Sequence, residues 1–405
     1  MAIPIGANIK YYRKLRDLTQ RELADLSGVK YTTITKIETG LIEDPSFLKV
    51  SQISKALEIT TDQLTLGFNT LGKTFQLKNR RFLGNKYKLL GFIKNIIDEN
   101  IGNFDSFCDP FAGTGVVGEY FNTNTNQIIS NDLLTSNYVA LKAFLSTTNI
   151  QWNNLIEKIK YLNLFTPSED NYVSLNFGGT YFSIENAMKI GWIREEIEKI
   201  SENEEEKCLL LTSLIYAMDK VANTVGHYDA YRKVLDTTTP LKMLIPDIKT
   251  QMNNRNIIFK EDANKLVRKI DCDILYLDPP YNSRQYSDAY HLLENIVEWK
   301  KPEVFGVAKK MDRKHIKSKY CLKSATEAFE DLILNTKAKH ILLSYNSTGD
   351  TKHGRSNAKI SDTEILEILN KKGEVKVFET DFKAFTTGKN KDLSNKERIF
   401  YCKAI

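Results

Sequence analysis

The sequence predicts an α/β fold, a Rossmann-like sheet carrying a helical insertion, preceded by a small all-α module. Three observations predict it. Apolar residues recur at helical spacing in short bursts through residues 1–67. A short apolar segment then meets a tight glycine turn, Asp109-Pro-Phe-Ala-Gly-Thr-Gly115, and a helix-like stretch follows. Far downstream the apolar run Ile274–Leu277 stops abruptly at Asp278-Pro-Pro-Tyr281. At 405 residues the chain is too long for one ordinary domain. The expected division is a module over 1–67, a polar connector over 68–80 and a large domain over 81–405, with 145–250 as the insertion. No apolar run approaches the roughly eighteen residues of a membrane span. The amino terminus meets a charge every few residues and develops no secretory apolar stretch, so a cytoplasmic protein is expected. The cysteines (Cys108, Cys208, Cys272, Cys321 and Cys402) are scattered without ligand spacing, so neither a metal site nor a disulfide framework is expected. A net charge of +6 permits a polyanionic partner but does not decide for one.

In the first module the bursts are Ile9, Tyr12 and Leu15; Leu23 and Leu26; Ile34 and Ile37; Leu48, Ile53 and Leu57. They read as four or five short helices. Thr19-Gln-Arg-Glu22 is a capping box, which starts a helix at Gln20. Gly28 ends that helix and Tyr31 starts another, the geometry of a helix-turn-helix. Its second helix would turn Lys30, Tyr31, Thr32, Thr33, Thr35 and Lys36 outward while Ile34 and Ile37 face the core. Those groups suit a major groove. The string TQRELADLSGVKYTTITKIETG resembles the lambda repressor and Cro family, which implies DNA binding. A helical bundle that packs on its neighbour or binds protein is the other reading.

The segment Arg81-Phe-Leu-Gly-Asn-Lys-Tyr-Lys-Leu-Leu90 is a basic, glycine-containing start to an amphipathic helix over Leu89–Ile97. After it the glycine turn opens a strand-turn-helix unit in which glycines let backbone amides approach a nucleotide-like ligand. Gln127–Asp132 reads as the second strand, and Asp132 falls near the spacing of a ribose-binding acid. At Asp278-Pro-Pro-Tyr281 the prolines donate no amide hydrogen, so the carbonyls there point at something other than a sheet neighbour. A planar amine fits: Asp278 and the Pro279 carbonyl would each accept one of its hydrogens, with Tyr281 stacked on the attached ring. Alignment of such an amine with an activated methyl needs neither metal nor covalent intermediate.

With these residues assembled, the chain from Arg81 to Ile405 resembles the Dam-like, alpha-group adenine methyltransferases and the FokI-type modification enzymes. The resemblance implies transfer of a methyl group from S-adenosylmethionine to the N6 amine of a flipped adenine in double-stranded DNA. It implies a restriction-modification setting, with a cognate endonuclease acting on the same site. Cofactor contacts fall on Phe82, where the family often has Trp, on Lys86, on Asp109, Phe111, Gly113 and Gly115, and on Asp132. Asp262, in Lys260-Glu-Asp-Ala263, falls where the family has Gly-Asp-Phe or Gly-Asp-Ala, without the glycine. The catalytic motif falls on Asp278, Pro279, Pro280 and Tyr281. A further family segment, close to the target base, falls on Asn223-Thr-Val-Gly226-His-Tyr228-Asp-Ala-Tyr231-Arg232, with Asp229 in place of the usual Asn. Tyr228, Tyr231 and Arg232 would meet the strand the base leaves.

The insertion, with helical segments over Asn154–Leu162, Ile184–Ile200 and Cys208–Ala222, is the expected target-recognition region. Lys309, Lys310, Arg313, Lys314, Lys317 and Lys319 form a basic stretch suited to phosphates or to solvent. His340–Asn346 reads as a further strand with Ser344 to Asn346 at its functional end, and strands over Glu374–Phe382 and Arg398–Ile405 as a closing hairpin. An N4-cytosine enzyme needs the same geometry, although the leading Asp278 favours adenine. A repressor with an inactive catalytic fold, and an RNA or protein-glutamine methyltransferase, are the remaining alternatives. The amino-terminal module is expected to bind an operator near the enzyme's own gene.

Overall fold

The computed structural model describes residues 5–16, 18–57, 59, 61–66, 74–235, 239–346, 360–381 and 396–405. The amino-terminal module holds helices α1 (Ile5–Leu15), α2 (Gln20–Ser27), α3 (Tyr31–Glu38), α4 (Phe47–Ala56) and α5 (Thr61–Leu66). The capping box forms: the Thr19 amide donates to Glu22 Oε2 at 2.7 Å and the Glu22 amide to Thr19 Oγ1 at 3.2 Å. Gly28 closes α2 at φ +67°, a left-handed conformation that a side chain would strain. Leu23, Ala24, Ile34, Ile37, Val50, Ile53 and Leu57 form the module's core. Leu26 and Leu48 leave the core they were expected to join and are 62% and 69% exposed, because Ala24 and Val50 hold the inward positions of their helices. On α3 the residues Tyr31, Thr32 and Lys36 are exposed, as is Lys30 before it, while Thr33 and Thr35 are half-buried.

The second half of the expected connector is built into the fold. Strand β1 (Thr74–Phe75) pairs in parallel with Ile245–Pro246, and Phe75 and Leu77 are buried. Residues 67–73 lie outside the described residues. Asp247 gathers this region: it accepts from Arg16 Nη1 at 2.8 Å and from Gln76 Nε2 at 3.0 Å, and its amide donates to Phe75 O at 2.8 Å. The Tyr11 and Thr74 hydroxyls are 2.9 Å apart, and one continuous apolar core includes Ile9 and Leu64 together with Phe75 and Leu77.

The large domain continues as α6 (Leu90–Asn100), β2 (Ser106–Asp109), α7 (Val116–Phe121), β3 (Gln127–Asn131) and α8 (Thr135–Leu145). The insertion follows as α9 (Trp152–Leu164), α10 (Tyr172–Phe177), α11 (Ile184–Ile200), α12 (Glu204–Val221) and β4 (Ile245–Pro246). The rest of the domain holds β5 (Ile257–Phe259), α13 (Ala263–Leu266), β6 (Ile274–Leu277), α14 (Tyr286–Ala289), α15 (His291–Glu298), α16 (Ala325–Asn335), β7 (His340–Asn346), α17 (Asp362–Asn370), β8 (Gly373–Asp381) and β9 (Lys396–Ala404). Seven strands form one sheet in the order β5-β3-β2-β6-β7-β9-β8, parallel except at β9.

The hairpin expected at the end of the sheet forms, with β9 between β7 and β8. Phe382 lies outside the described residues. Helix α12 is buried along nearly all its length and packs on α8, so this part of the insertion extends the core. Among the described residues no helix is long and apolar enough to cross a membrane.

Candidate active site

Strands β3, β2 and β6 run side by side in the same direction, so Asn131, Asp109 and Leu277 end at one edge of the sheet. Ligands of open parallel sheets collect there. A cleft of about 960 Å³, counting its open mouth, lies at that edge, within the range of small-molecule sites. Phe82, Lys86, Asp109, Phe111 and Gly113 line it, as do Asp132, Asp262, Asp278 and Pro280. The glycine turn is held by Asn131, whose Nδ2 donates to Pro110 O and Glu261 O at 2.9 and 3.0 Å. The Gly113 amide donates to Asp132 Oδ2 at 2.9 Å and the Leu134 amide to Asp132 Oδ1 at 2.8 Å. Burial pushes the Asp132 carboxyl up to about 6, and these amides pull against that shift. Burial, with the charges of Asp278 and Asp132 nearby, holds the Asp109 carboxyl well above the ordinary carboxylate range. Asp262 lies on the wall and caps α13, its Oδ1 accepting from the Lys265 amide at 3.2 Å.

Gly115 departs from its expected place. It does not line the cleft, and at φ +84° a Cβ there would meet Leu141 Cδ2 at 2.5 Å, so its bareness serves the packing of α7 on α8. Gly113, at φ +54°, faces the Phe82 ring, and a Cβ would come within 3.0 Å of Cε1. That ring is stacked on Tyr290 at 4.5 Å and Tyr286 at 5.3 Å, with the Arg80 guanidinium 5.4 Å from its centroid. The Leu83 amide donates to Tyr290 Oη at 2.7 Å, and Arg80 Nη1 donates to Asn137 Oδ1 at 2.7 Å. The sequence segment after Arg80 is thereby pinned over the glycine turn.

Lys86 is buried with its Nζ 2.8 Å from Asp278 Oδ1. Burial acts to discharge it, but the Asp278 charge, with Tyr281 and Glu397 farther off, prevails and raises the ammonium's pKa. Burial raises the Asp278 carboxyl while Lys86 pulls it down. Pro279 is buried behind the wall that Pro280 contributes to. Tyr281 stands outside the cleft, edge-on to Tyr345 at 5.9 Å and 5.8 Å from Lys86 Nζ.

Two side chains escaped the sequence reading. Glu294 is fully buried on α15, and its carboxylate accepts from the Thr135 and Ser136 amides at 2.7 and 2.6 Å, which caps α8 behind Asp132. Glu397 is buried on β9 opposite Asn346, its Oε2 without a hydrogen bond among the described residues. Register places it on the same sheet face as Tyr276 and Ser344, and that pairing is the signal that would have found it. Ser344 is buried two residues before Asn346, at the strand end where it was expected.

The segment expected to contact DNA divides. Tyr228 is corrected to an interior residue, 2% exposed, with its hydroxyl donating to Asp219 Oδ1 at 2.8 Å and its amide to Ala289 O at 2.7 Å. Asn223 is corrected likewise: it is buried, and its Nδ2 donates to Thr180 O and Arg232 O at 3.0 Å, closing the loop on itself. Gly226 bends this loop at φ +108°. Tyr231 is half-buried edge-on to Tyr181, and Arg232 is exposed. His291 Nε2 donates to Tyr228 O at 2.9 Å, and burial lowers this imidazole to about 4, so it stays neutral. Asp229 is held by Lys310 at 2.7 Å and Arg284 at 3.4 Å, which lowers its pKa against the effect of burial. Two of the six expected phosphate-binding cations are thus engaged within the protein, since Arg313 pairs with Asp288. Lys314, Lys317 and Lys319 are exposed and Lys309 is half-buried.

Residues 82–351 match the D12 class N6 adenine-specific DNA methyltransferase family, and residues 9–64 match a helix-turn-helix family. The chain is 35% identical over 346 residues to the modification methylase StsI of Streptococcus sanguinis and 34% identical over 346 residues to the type II methyltransferase M.FokI of Planomicrobium okeanokoites. Each match takes in 79% of this chain but only 51% and 52% of those relatives, so the chain spans about half their length. It is 33% identical to the type II methyltransferase M.NlaIII of Neisseria lactamica over 78% of this chain and 95% of that protein. With its glycine turn, Asp132, Asp278 and Pro280 on one cleft, and this match over residues 82–351, the chain belongs to the D12 class N6 adenine-specific DNA methyltransferase family.

Proposed function

We propose that the protein is a site-specific DNA methyltransferase acting on the N6 amine of adenine within a restriction-modification system. The observation that carries this reading is that Asp278 and Asp132 line the same cleft, so a donor seated on one reaches an acceptor held by the other. S-adenosylmethionine supplies an activated methyl on a sulfonium. The cleft suits that group: Asp109, Asp132, Asp262 and Asp278 make its wall acidic, and Gly113 leaves open the space beside Phe82 that a Cβ would fill. Asp132 would hold the ribose hydroxyls, Phe82 and Phe111 the apolar parts, Lys86 and Asp109 the polar end, and Asp262 the adenine amine of the cofactor.

Asp278 and the Pro279 carbonyl would accept the two N6 hydrogens of a flipped adenine, with Tyr281 against its ring. Localising the amine lone pair and fixing its line of approach supply most of the acceleration. Digestion of methylated duplex to nucleosides tests the reading, with N6-methyl-2′-deoxyadenosine expected. N4-methyl-2′-deoxycytidine alone would overturn it in favour of the cytosine amine.

The carboxylate at Asp132 gives the binding step a pH dependence. Ribose hydroxyls donate to its ionised form, which prevails above pH about 6. Cofactor affinity is expected to be level above that value and to fall about tenfold per unit well below it. Asp132→Asn should bind weakly with a flat profile. Isothermal titration across this range checks it, and an unchanged slope in the variant would remove Asp132 from the contact.

The exposed face of α3, with Lys30, Tyr31, Thr32 and Lys36, supports a second DNA contact by the amino-terminal module, either at an operator of the enzyme's own gene or beside the methylation site. Deleting residues 1–66 is a poor test, because Arg16, Tyr11 and the module's core are joined to the large domain. Lys30→Ala with Lys36→Ala leaves the interior intact. Operator binding by the double variant is expected to fall roughly tenfold at moderate salt while methylation of isolated sites persists. Equal loss of both would argue against separate roles. A cognate endonuclease in the cytoplasm that cuts the unmethylated site completes the proposal.

A further inference from the structure

Residues Val304-Phe-Gly-Val-Ala308 carry no polar side chain, yet Phe305, Gly306 and Val307 are exposed, while Val304 packs against the core and Ala308 is half-buried. Phe305 and Lys310 form an antiparallel bridge, the Phe305 amide donating to Lys310 O at 2.8 Å and the Lys310 amide to Phe305 O at 2.9 Å. Between them the chain turns through two left-handed residues, Gly306 at φ +70° and Lys309 at φ +49°. Phe305 is 57% exposed and Val307, at the tip, 81%. A closed hairpin that holds apolar groups out into water is unfavourable unless something covers them.

The tip is held firmly. Tyr181 Oη lies 2.9 Å from Ala308 O and 2.8 Å from Tyr228 O, and Lys310 Nζ lies 2.7 Å from Asp229 Oδ1, so the hairpin is tied to the loop over 223–232. Tyr172 donates to Pro302 O at 2.6 Å at its base. In the other direction the chain runs through buried Met311 to Ile316, Ser318 and Lys319, which line the cleft that holds Asp278. Gln285 fastens that stretch to the catalytic loop, its Nε2 donating to Ser318 O at 3.0 Å and its Oε1 accepting from the Ser318 amide at 2.8 Å. The position of the tip is therefore fixed with respect to the place where the amine would react.

Charge identifies what covers the tip. Lys309, Lys314, Lys317 and Lys319 follow it with Asp312 as the only acidic residue between 309 and 319, which suits a phosphate backbone. Resting on the adenine-methylating reading above, we propose that the Phe305–Ala308 tip enters the base stack at the methylation site. There it occupies the space from which the adenine is drawn, while the following lysines hold flanking phosphates. Apolar wedges are how proteins keep an unstacked step open, and a base taken out of the duplex leaves such a space behind.

The test uses the full chain with a duplex whose methylated adenine, first mapped by modification-sensitive sequencing, is replaced by 2-aminopurine. The wild type with S-adenosylhomocysteine should raise the fluorescence of the unstacked base. Phe305→Ala and Val307→Asp should lose most of that rise and lower kcat/KM about tenfold, the scale of one stacking contact. Val307→Asp should leave the melting temperature unchanged, because Val307 is 81% exposed, which separates loss of the wedge from loss of the fold. Wild-type fluorescence and turnover in both Phe305→Ala and Val307→Asp would overturn the inference, as would weaker binding with an unchanged signal per bound complex. A wild type that methylates some other base would overturn the functional reading itself, and the inference with it.

Discussion

Replacing Asp278 by alanine is expected to abolish methyl transfer while cofactor binding survives. On the proposed reading the carboxylate is the acceptor aimed at the reacting amine, and loss of one aimed polar group in a closed site typically costs about 10³-fold in rate. Removing it also strands the buried Lys86 ammonium, 2.8 Å away, at a cost of roughly 3–5 kcal/mol in stability. Asp278→Asn separates the two effects. It keeps the volume and one acceptor oxygen, so a smaller fall in melting temperature should accompany the same loss of turnover. Labelled-methyl incorporation and thermal unfolding measure both. Turnover above about one hundredth of wild type in either variant would remove Asp278 from its assigned role.

The second large effect is expected at Gly115, on stability rather than on ligand binding. Alanine there must adopt φ +84°, which costs about 1–2 kcal/mol, and press a methyl group into Leu141 Cδ2, which adds roughly 1–3 kcal/mol. Against a typical stability of about 5–15 kcal/mol this is a large share. Gly113→Ala makes the contrast. It carries a similar backbone cost at φ +54°, but its methyl group meets the Phe82 ring of the cleft at 3.0 Å instead of the Leu141 side chain, so weaker cofactor binding is the expected addition. Melting temperature and cofactor titration of the two variants decide between the roles. A Gly115→Ala protein of normal stability and poor cofactor binding would return that glycine to the ligand site.

What the sequence made legible was local. Thr19 and Glu22 lie within one helical turn of each other, so their capping box could be read and the start of α2 placed. Strand β6 was legible because its apolar run ends at two prolines, and Asp109, Asp132 and Asp278 because each stands at the tip of such a strand. Strand β5, three residues long, offers no period to read. Tyr228 and Asn223 were misplaced because an aromatic or an amide in a motif looks the same whether it meets DNA or closes a loop. Only the tertiary partners Asp219 and Thr180 decide that. Glu294 stands behind Asp132 and Glu397 bears on Lys86 from elements distant in sequence, through a helix cap and an antiparallel register that no local pattern encodes.

The buried carboxylate at Asp247 has a geometric consequence. By holding Arg16 of the amino-terminal module and Gln76 of the connector at one point of the large domain, it ties together the two surfaces proposed to meet duplex DNA. Any single duplex gripped by both must therefore offer its two sites at a set offset and on set sides of the helix. Shifting one site by about 5 base pairs, half a turn, should break joint engagement, and a further half-turn should restore the facing but not the distance.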